Sequence, residues 1–442
     1  MRKVGLYTLG CKVSLYETEA VGEAFARAGF ETLPFDEVCD VYVINTCTVT
    51  AESDAKSRKY IRRAIRKNPD AVVIAIGCYT QRAPEDALKI EGISAVIGTE
   101  NKLSAVDIAL KILAEREASG KENNKSTLTV SVTDLDSAAF EPMCIESAPR
   151  TRAYVKIEDG CECKCTYCAI SGARGPVRSK RPEEVISEVE GLYKNGTREI
   201  VLTGIETGSY GADFEEKYDL ADLLCELNER HSCDRVRLGS MAPELLSEKF
   251  ITRVAKLPIL TPHFHVSMQS GADNVLRRME RRYSRKMALD NIKRIKELMH
   301  GVMLTADLMV GFPGESDEDF LDTMRFVREA ELLDAHVFAY SRREGTPAAD
   351  YPDQIPEDIK HERSARLIAE CARVRDEVLT RVVSLAKPLP TIFETKKGSA
   401  YYGHSDSYIE VSVSSDTDLR GGLVNVIPTS HENGVIYGEI TN

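Results

Sequence analysis

The chain has 442 residues, 43% hydrophobic and 29% charged, enough apolar material for roughly three buried cores and too much for a disordered protein. A formal net charge of -12 argues against indiscriminate nucleic-acid binding, and no apolar run approaches the roughly 18 to 20 residues of a membrane helix. The start, MRKVGLYTLGCKV, lacks the apolar stretch and cleavage site of a signal peptide, so a cytoplasmic protein is expected. Twelve cysteines in a reducing compartment then read as metal ligands, redox groups or packing rather than disulfides.

From Val4 short apolar runs alternate with helical patterns: VGLYTLG, a helix from about Glu17, VYVINT, the basic stretch KSRKYIRRAIRK, then VVIAIG. This predicts a doubly wound α/β domain over 1–113 with a parallel sheet. Each of the three apolar runs ends at a cysteine, Cys11, Cys47 and Cys78. Ligands in open α/β sheets sit beyond the carboxyl ends of the strands, so three thiols 36 and 31 residues apart are expected to converge. A small core residue is the bland reading of any one of them, and the repeated strand-end placement speaks against it for all three. In residues 56–67, Ile61, Ala64 and Ile65 at helical spacing would pin one face while Arg58, Arg62 and Arg66 point outward. That face suits phosphates or simply solvent.

The pattern is lost from about Leu113 to Thr151, where REASGKENNKST is polar and turn-rich, LTVSV could add an edge strand, and Cys144 lies outside the cysteine motifs; 114–146 reads as a linker. A second alternation begins at Tyr154, with candidate strands YVKIED, EIVLTG, RVRLGS, HFHVSM, LTADLMVG and AHVFAYS. Six strand-helix units over 147–378 predict a partial (β/α)6 barrel, whose functional edge is the carboxyl end of its strands. Unusual residues collect there: a cysteine cluster, Gly204, then Gln269, Ser270 and Gly271, then GFPGE, then Tyr340 and Ser341. A run from Arg277 to Lys296 carries nine basic against two acidic residues. Residues 379–442 turn β-rich (LPTIFET, SYIEVSV, LVNVIPT, VIYGEI), predicting a small antiparallel β-barrel of the oligonucleotide-binding kind. Its four basic and seven acidic residues from Val383 onward do not favour that role.

CECKCTYCAI, residues 161–170, holds four cysteines, of which Cys161, Cys165 and Cys168 form CxxxCxxC and Cys163 divides the first interval. A structural zinc site wants four ligands, usually in two pairs, and no second pair follows. A redox CxxC needs no third thiol. Three thiolates on a 4Fe-4S cube leave one iron open for a substrate or cofactor.

CxxxCxxC with Tyr167 before its last cysteine, after the first strand of a six-unit barrel, resembles the radical S-adenosylmethionine enzymes. LGCKVSLYETEA, VINTCTVT and IGCY upstream, GCECKCTYC, then VLTGIETGSYG, HVSMQSG, VGFPGE and the β-rich tail are similar to the methylthiotransferases among them, over nearly the whole chain. The resemblance implies two 4Fe-4S clusters, a radical-generating one on Cys161, Cys165 and Cys168 and an auxiliary one on Cys11, Cys47 and Cys78. It implies S-adenosylmethionine near Tyr167, Gly204, Gln269, Ser270 and Gly271, and a C-terminal TRAM domain that grips tRNA. The implied reaction uses two molecules of S-adenosylmethionine. One donates a methyl group to a sulfur, the other yields a 5′-deoxyadenosyl radical that removes hydrogen from carbon 2 of a modified adenine. ETEA and LTGIETGSYG favour N6-threonylcarbamoyladenosine next to the anticodon (position 37) as substrate. An electron donor such as flavodoxin or ferredoxin is implied, and a monomer is expected.

The sequence departs from the family pattern at Ser14, Ser171, Ser267 and Ala272, which bears on pocket shape rather than on the thiols. Cys163 lies inside an interval that normally holds no thiol and reads as a bystander. Arg281 could meet a carboxylate or phosphate, or lie on the surface. The competing readings are a methylthiotransferase acting on isopentenyladenosine tRNA or on a ribosomal-protein aspartate, a non-catalytic tRNA-binding iron-sulfur protein, and a zinc-stabilised structural protein.

Overall fold

The computed structural model describes residues 1–119 and 128–441, which divide into two compact units. The first comprises 1–145, 158–180 and 341–346; the second comprises 146–157, 181–340 and 347–442.

In the first unit, β1 (Lys3–Thr8), β2 (Glu31–Leu33), β3 (Val41–Thr46), β4 (Val72–Gly77), β5 (Ala95–Ile97) and β6 (Thr129–Ser131) form one sheet in the order β2-β1-β3-β4-β5-β6. All of its pairs are parallel. VYVINT and VVIAIG are buried at every position, as central strands covered on both faces must be. On one face Val41, Val43, Val72, Ile74 and Ile76 pack with Val21 and Phe25 of helix α1 (Lys12–Arg27) and with Ala109 and Ile112 of the helix Ala105–Ser119. On the other, Tyr42, Ile44, Val73 and Ala75 pack with Ile61 and Ala64 of helix α2 (Ala51–Lys67). The period of two along each strand therefore feeds two helical layers, which is the doubly wound arrangement.

Helix α1 begins at Lys12, ahead of the expected start near Glu17. Ser14, Glu17 and Thr18 are buried polar residues on its inner face, and they break the apolar periodicity by which sequence locates a helix. LTVSV does supply an edge strand, β6 on β5. The described part of the expected linker is no loose connection: Leu135, Met143 and Ile145 are buried, and Glu141 pairs with Lys102. The turn-rich stretch at 120–127 lies outside the described residues.

In the second unit, β7 (Arg152–Lys156) pairs with Glu199–Thr203, which pairs with Arg235–Leu238; Ser240–Met241, His263–Gln269, Met303–Val310 and Asp334–Ala339 form a second parallel sheet. A bridge from Val236 to Leu260 ties the third strand toward the second sheet. The six expected strands are thus present, with two amendments. RVRLGS splits at Gly239, and the end of YVKIED leaves the sheet, since Glu158–Asp159 pairs antiparallel with Arg178–Ser179 inside the first unit.

The helix Glu357–Leu385 runs straight through 378/379, where a domain boundary was expected. Beyond it Leu389–Lys397, Ala400–Ser405, Glu410–Ser414, Leu423–Glu432 and Val435–Thr441 close into a barrel, through four antiparallel pairs and one parallel pair between the third and fifth strands. AYYGHS is the strand the sequence hides. Its buried residues are Tyr401, Gly403 and Ser405, so the inward face is not apolar. No described helix is long and apolar enough to cross a membrane.

Candidate metal centres

β1, β3 and β4 are neighbours, and the strand order reverses between β1 and β3, because β2 lies on the far side of β1. That reversal is a topological switch point, where the loops beyond the strand ends diverge and leave a crevice. Cys47 and Cys78 follow β3 and β4 directly, and Cys11 precedes the first residue of α1. Gly77 takes φ 103°, and a Cβ there would stand 2.5 Å from the Asn45 side-chain oxygen, so the turn presenting Cys78 admits only glycine. Gly10 lies against Cys47: a Cβ on it would be 3.2 Å from the Cys47 Sγ. Cys47 and Cys78 are buried and Cys11 is exposed.

Burial pushes the Cys78 thiol up to about 12; Arg174 opposes the shift, while Cys11 and Cys47 add to it. Burial likewise raises Cys47, with Cys11 again contributing. The three sulfurs therefore sense one another. Thiolates so placed repel, and a bound cation that shares their charge removes the penalty, so the donor set fits a metal group with three sulfur ligands.

The other thiols lie on a loop of the same unit. The Cys161 amide donates to the Gly175 carbonyl at 3.0 Å and the Cys168 amide to the Cys165 carbonyl at 3.0 Å. The amides of Cys163 and Ile170 donate to the sulfurs of Cys161 and Cys168, each at 3.4 Å. Amide donors directed at sulfur suit thiolates that carry a cluster. Cys165 is buried, while Cys161, Cys163 and Cys168 are half-buried, as is Tyr167.

Arg174, which sequence reasoning missed, joins this loop to the first set. It closes the short helix Ile170–Arg174, packed against helix α3 (Cys78–Arg82), and its side chain is wholly buried. Its Nε donates to the Cys78 Sγ at 3.1 Å. Its two terminal nitrogens grip Glu17 at 2.6 and 3.2 Å, and one also reaches Asp159 at 3.1 Å. Lys102, equally buried, lies 3.1 Å from Glu17 and 3.5 Å from Glu141, and Arg178 pairs with Glu100 at 2.7 Å. In sequence Arg174 stands between Ala173 and Gly175 with no periodic pattern, where an arginine reads as surface. Only the fold reveals that α1, which carries Glu17, lies across from it.

The expected cofactor residues belong to the second unit, apart from Tyr167. Gly204 follows the strand Glu199–Thr203. Gln269 ends its strand at φ 64°, unusual outside glycine, and its side-chain oxygen is buried without a hydrogen-bond partner. Such an orphaned acceptor fits a ligand donor. Ser270 and Gly271 are occupied with packing. Both reach Thr323, at 3.3 and 3.0 Å, and a Cβ at Gly271 would stand 2.7 Å from the Cα of Thr323. The GFPGE turn closes on itself, with the Gly311 amide donating to Glu315, which Arg363 holds at 2.6 Å. Arg281 donates to the Ser267 carbonyl and to the Tyr283 hydroxyl, at 3.1 and 2.9 Å. In the basic run around it, Arg285, Lys286, Arg294 and Lys296 are engaged in ion pairs, whereas Arg62 and Arg66 of α2 are exposed.

Two family models match, one described as Radical SAM superfamily over residues 155–327 and one as Uncharacterized protein family UPF0004 over residues 3–98. The chain is 39% identical over 430 residues, 96% of its own length and 93% of the relative's, to threonylcarbamoyladenosine tRNA methylthiotransferase MtaB of Bacillus subtilis (strain 168). It is 31% identical to tRNA-2-methylthio-N(6)-dimethylallyladenosine synthase of Alkaliphilus oremlandii (strain OhILAs), covering 99% of this chain and 93% of that one. Among solved structures, the radical S-adenosylmethionine methyltransferase TsrM of Kitasatospora setae, bound to tryptophan and a SAM analog, shares the fold with a TM-score of 0.58 at 15% identity, over 90% of this chain and 79% of that one.

Proposed function

This chain belongs to the radical S-adenosylmethionine methylthiotransferase family, and from that membership we propose that it converts N6-threonylcarbamoyladenosine in tRNA, at position 37 next to the anticodon, to its 2-methylthio derivative. The observation that carries the reading is the pair of three-thiol sets in one compact unit, Cys11, Cys47 and Cys78 at a switch point and Cys161, Cys165 and Cys168 on an amide-lined loop. Two 4Fe-4S clusters on these thiols would supply one-electron cleavage of S-adenosylmethionine and a site for the transferred sulfur.

The chain's own residues hold and tune those groups. Backbone amides at 163 and 170 orient the sulfurs of Cys161 and Cys168. Arg174 acts as a positioning residue: its N–H directed at the Cys78 sulfur offsets negative charge at the auxiliary site, while Glu17 and Asp159 fix the guanidinium. The Gln269 oxygen offers an acceptor to S-adenosylmethionine at the carboxyl end of a barrel strand. Carbon 2 of an adenine has no proton that a side chain could remove, so no general base is assigned. The C-terminal barrel, with Lys396 and Lys397 set over the rings of Tyr401 and Tyr402 and Tyr437 exposed, provides cations and aromatic faces for tRNA as a TRAM domain. Arg62 and Arg66 add a second basic surface on α2. The proposal keeps 1–113, 114–146, 147–378 and 379–442 as functional segments, a cytoplasmic monomer and a flavodoxin-type or ferredoxin-type donor.

Mass spectrometry of tRNA nucleosides from a strain lacking this gene tests the substrate. N6-threonylcarbamoyladenosine should accumulate as its 2-methylthio form disappears. Loss of 2-methylthio-dimethylallyladenosine instead would transfer the assignment to the other substrate class.

A further inference from the structure

Among the described residues, one titratable cluster outside the thiols has the geometry of a ligand set: His265, Asp307 and His336, on the neighbouring parallel strands His263–Gln269, Met303–Val310 and Asp334–Ala339. The register sets Thr305 beside His265 and His336 beside Asp307, and residues two apart on a strand share a face. One nitrogen or oxygen from each of the three lies within 4.8 Å of the others. His265 Nε2 is 3.2 Å from one Asp307 oxygen, and His336 Nδ1 is 3.2 Å from the other.

We propose that these side chains hold a divalent transition-metal ion of the zinc or ferrous class, through His265 Nε2, the Asp307 carboxylate and His336 Nδ1. Spacing supports it. Bonds of about 2.0 to 2.2 Å place neighbouring donors of a tetrahedral ion about 3.3 Å apart, and each histidine nitrogen stands at about that distance from one of the two Asp307 oxygens, so the carboxylate meets both nitrogens by binding through both oxygens. In the ion-free protein the same contacts are long N–H···O hydrogen bonds, which hold the three side chains together at the separation a metal ion needs.

The hydrogen bonds around His265 accommodate it. The Thr305 hydroxyl lies 2.8 Å from His265 Nδ1 and 3.0 Å from His263 Nε2. A hydroxyl donates one proton and accepts others, so the relay can run in either direction, and the metal-bound form is the one in which His265 Nδ1–H donates to Thr305 and Thr305 donates to His263. That leaves the His265 Nε2 lone pair facing Asp307, the tautomer a metal ligand requires. His263 is itself fixed by stacking on Tyr408 at 4.6 Å, so the supporting shell is rigid. His336, with 79% of its side chain exposed, keeps the outer side open. Two histidines, one carboxylate and positions left for water or an oxygen ligand describe an open site rather than a closed structural one.

The proposal goes beyond the methylthiotransferase reading and does not depend on it. Its test uses the full chain, reconstituted anaerobically with iron and sulfide so that the cluster thiols are occupied, then equilibrated with zinc chloride and desalted. Elemental mass spectrometry should find one zinc per chain in addition to the iron. Zinc X-ray absorption should show only nitrogen and oxygen neighbours, at about 2.0 to 2.2 Å. His336→Asn, at an exposed position, and Asp307→Asn should each lose the zinc with iron content and circular dichroism unchanged. Wild-type protein without stoichiometric zinc, zinc retained in both variants, or a sulfur neighbour at about 2.3 Å would each overturn it.

Discussion

The two thiol sets, each proposed to hold an iron-sulfur cluster, are assembled by opposite routes. Cys161, Cys165 and Cys168 lie within eight residues and are placed by a loop whose own amides meet their sulfurs. Cys11, Cys47 and Cys78 span 68 residues and are placed by a parallel sheet, each at the end of a strand that neighbours another. A local set is as robust as its loop. A dispersed set inherits the rigidity of the sheet but needs something to manage the charge it gathers, and Arg174 stands where that is required, against Cys78.

Removing one thiol from each set separates the two functions and gives the largest expected effect. Cys165→Ala should abolish both 5′-deoxyadenosine formation and methylthiolation in anaerobic assays with S-adenosylmethionine and a reductant. Cys78→Ala should abolish methylthiolation while 5′-deoxyadenosine formation stays within about two-fold of wild type, because the proposal assigns its thiol to transfer rather than to radical generation. Equal loss of 5′-deoxyadenosine in both variants would erase the distinction.

Arg174 provides the next effect. Arg174→Gln leaves Glu17 and Asp159 buried with a cation removed, which should cost about 3 to 5 kcal/mol in denaturant unfolding of the cluster-free chain. In cluster-loaded protein the auxiliary set should titrate at a more negative potential, since a donor and a positive charge beside a ligand sulfur favour the reduced state. Arg174→Lys keeps the charge without the fork and should recover part of the potential but little of the stability. An unchanged potential in Arg174→Gln would reduce Arg174 to an anchor for the loop.

How much of this the sequence disclosed follows from the range of each interaction. CxxxCxxC is a spacing, and spacing is visible. The convergence of Cys11, Cys47 and Cys78 was readable because apolar runs locate strands and strand ends locate sites. The start of α1 was misplaced because Ser14, Glu17 and Thr18 face inward, and Ala400–Ser405 was missed because its inner face carries Gly403 and Ser405. Arg174, Lys102 and Glu17 could not be read as partners, since ion pairs across 85 and 157 residues leave no local signature. The same holds for His265, Asp307 and His336, three ordinary strand residues until the sheet order makes them neighbours. Ser270 and Gly271 show what sequence leaves out in the other direction: flagged only for a cofactor, they also pack against helix Asp317–Ala330.

A smaller effect contrasts members of the dispersed set. In metal-free protein, Cys11 is exposed and Cys78 is buried with its thiol pushed up to about 12. A raised thiol pKa leaves thiolate scarce at pH 8, roughly one part in ten thousand, and only thiolate alkylates. Iodoacetamide labelling read by peptide mass spectrometry should therefore modify Cys11 first. Labelling of Cys78 should be slow and should rise about tenfold for each pH unit while the fold holds. Equal rates at pH 8 would mean that the crevice opens in the absence of metal.

The smallest expected effect belongs to Cys163, and it sharpens the contrast most. Its amide donates to the Cys161 sulfur at 3.4 Å, so the residue's contribution to the local set runs through the backbone, which every amino acid except proline supplies. Cys161, Cys165 and Cys168 already satisfy the three-ligand spacing, and moving a ligand to Cys163 would shorten the first interval by two residues. Cys163→Ala should accordingly leave the iron content and the electron paramagnetic resonance of the reduced loop cluster unchanged, in a background where Cys11, Cys47 and Cys78 are replaced by alanine. A fall in iron as large as that of Cys161→Ala in the same background would make the sulfur of Cys163 a ligand and the loop less rigid than its amide contacts imply.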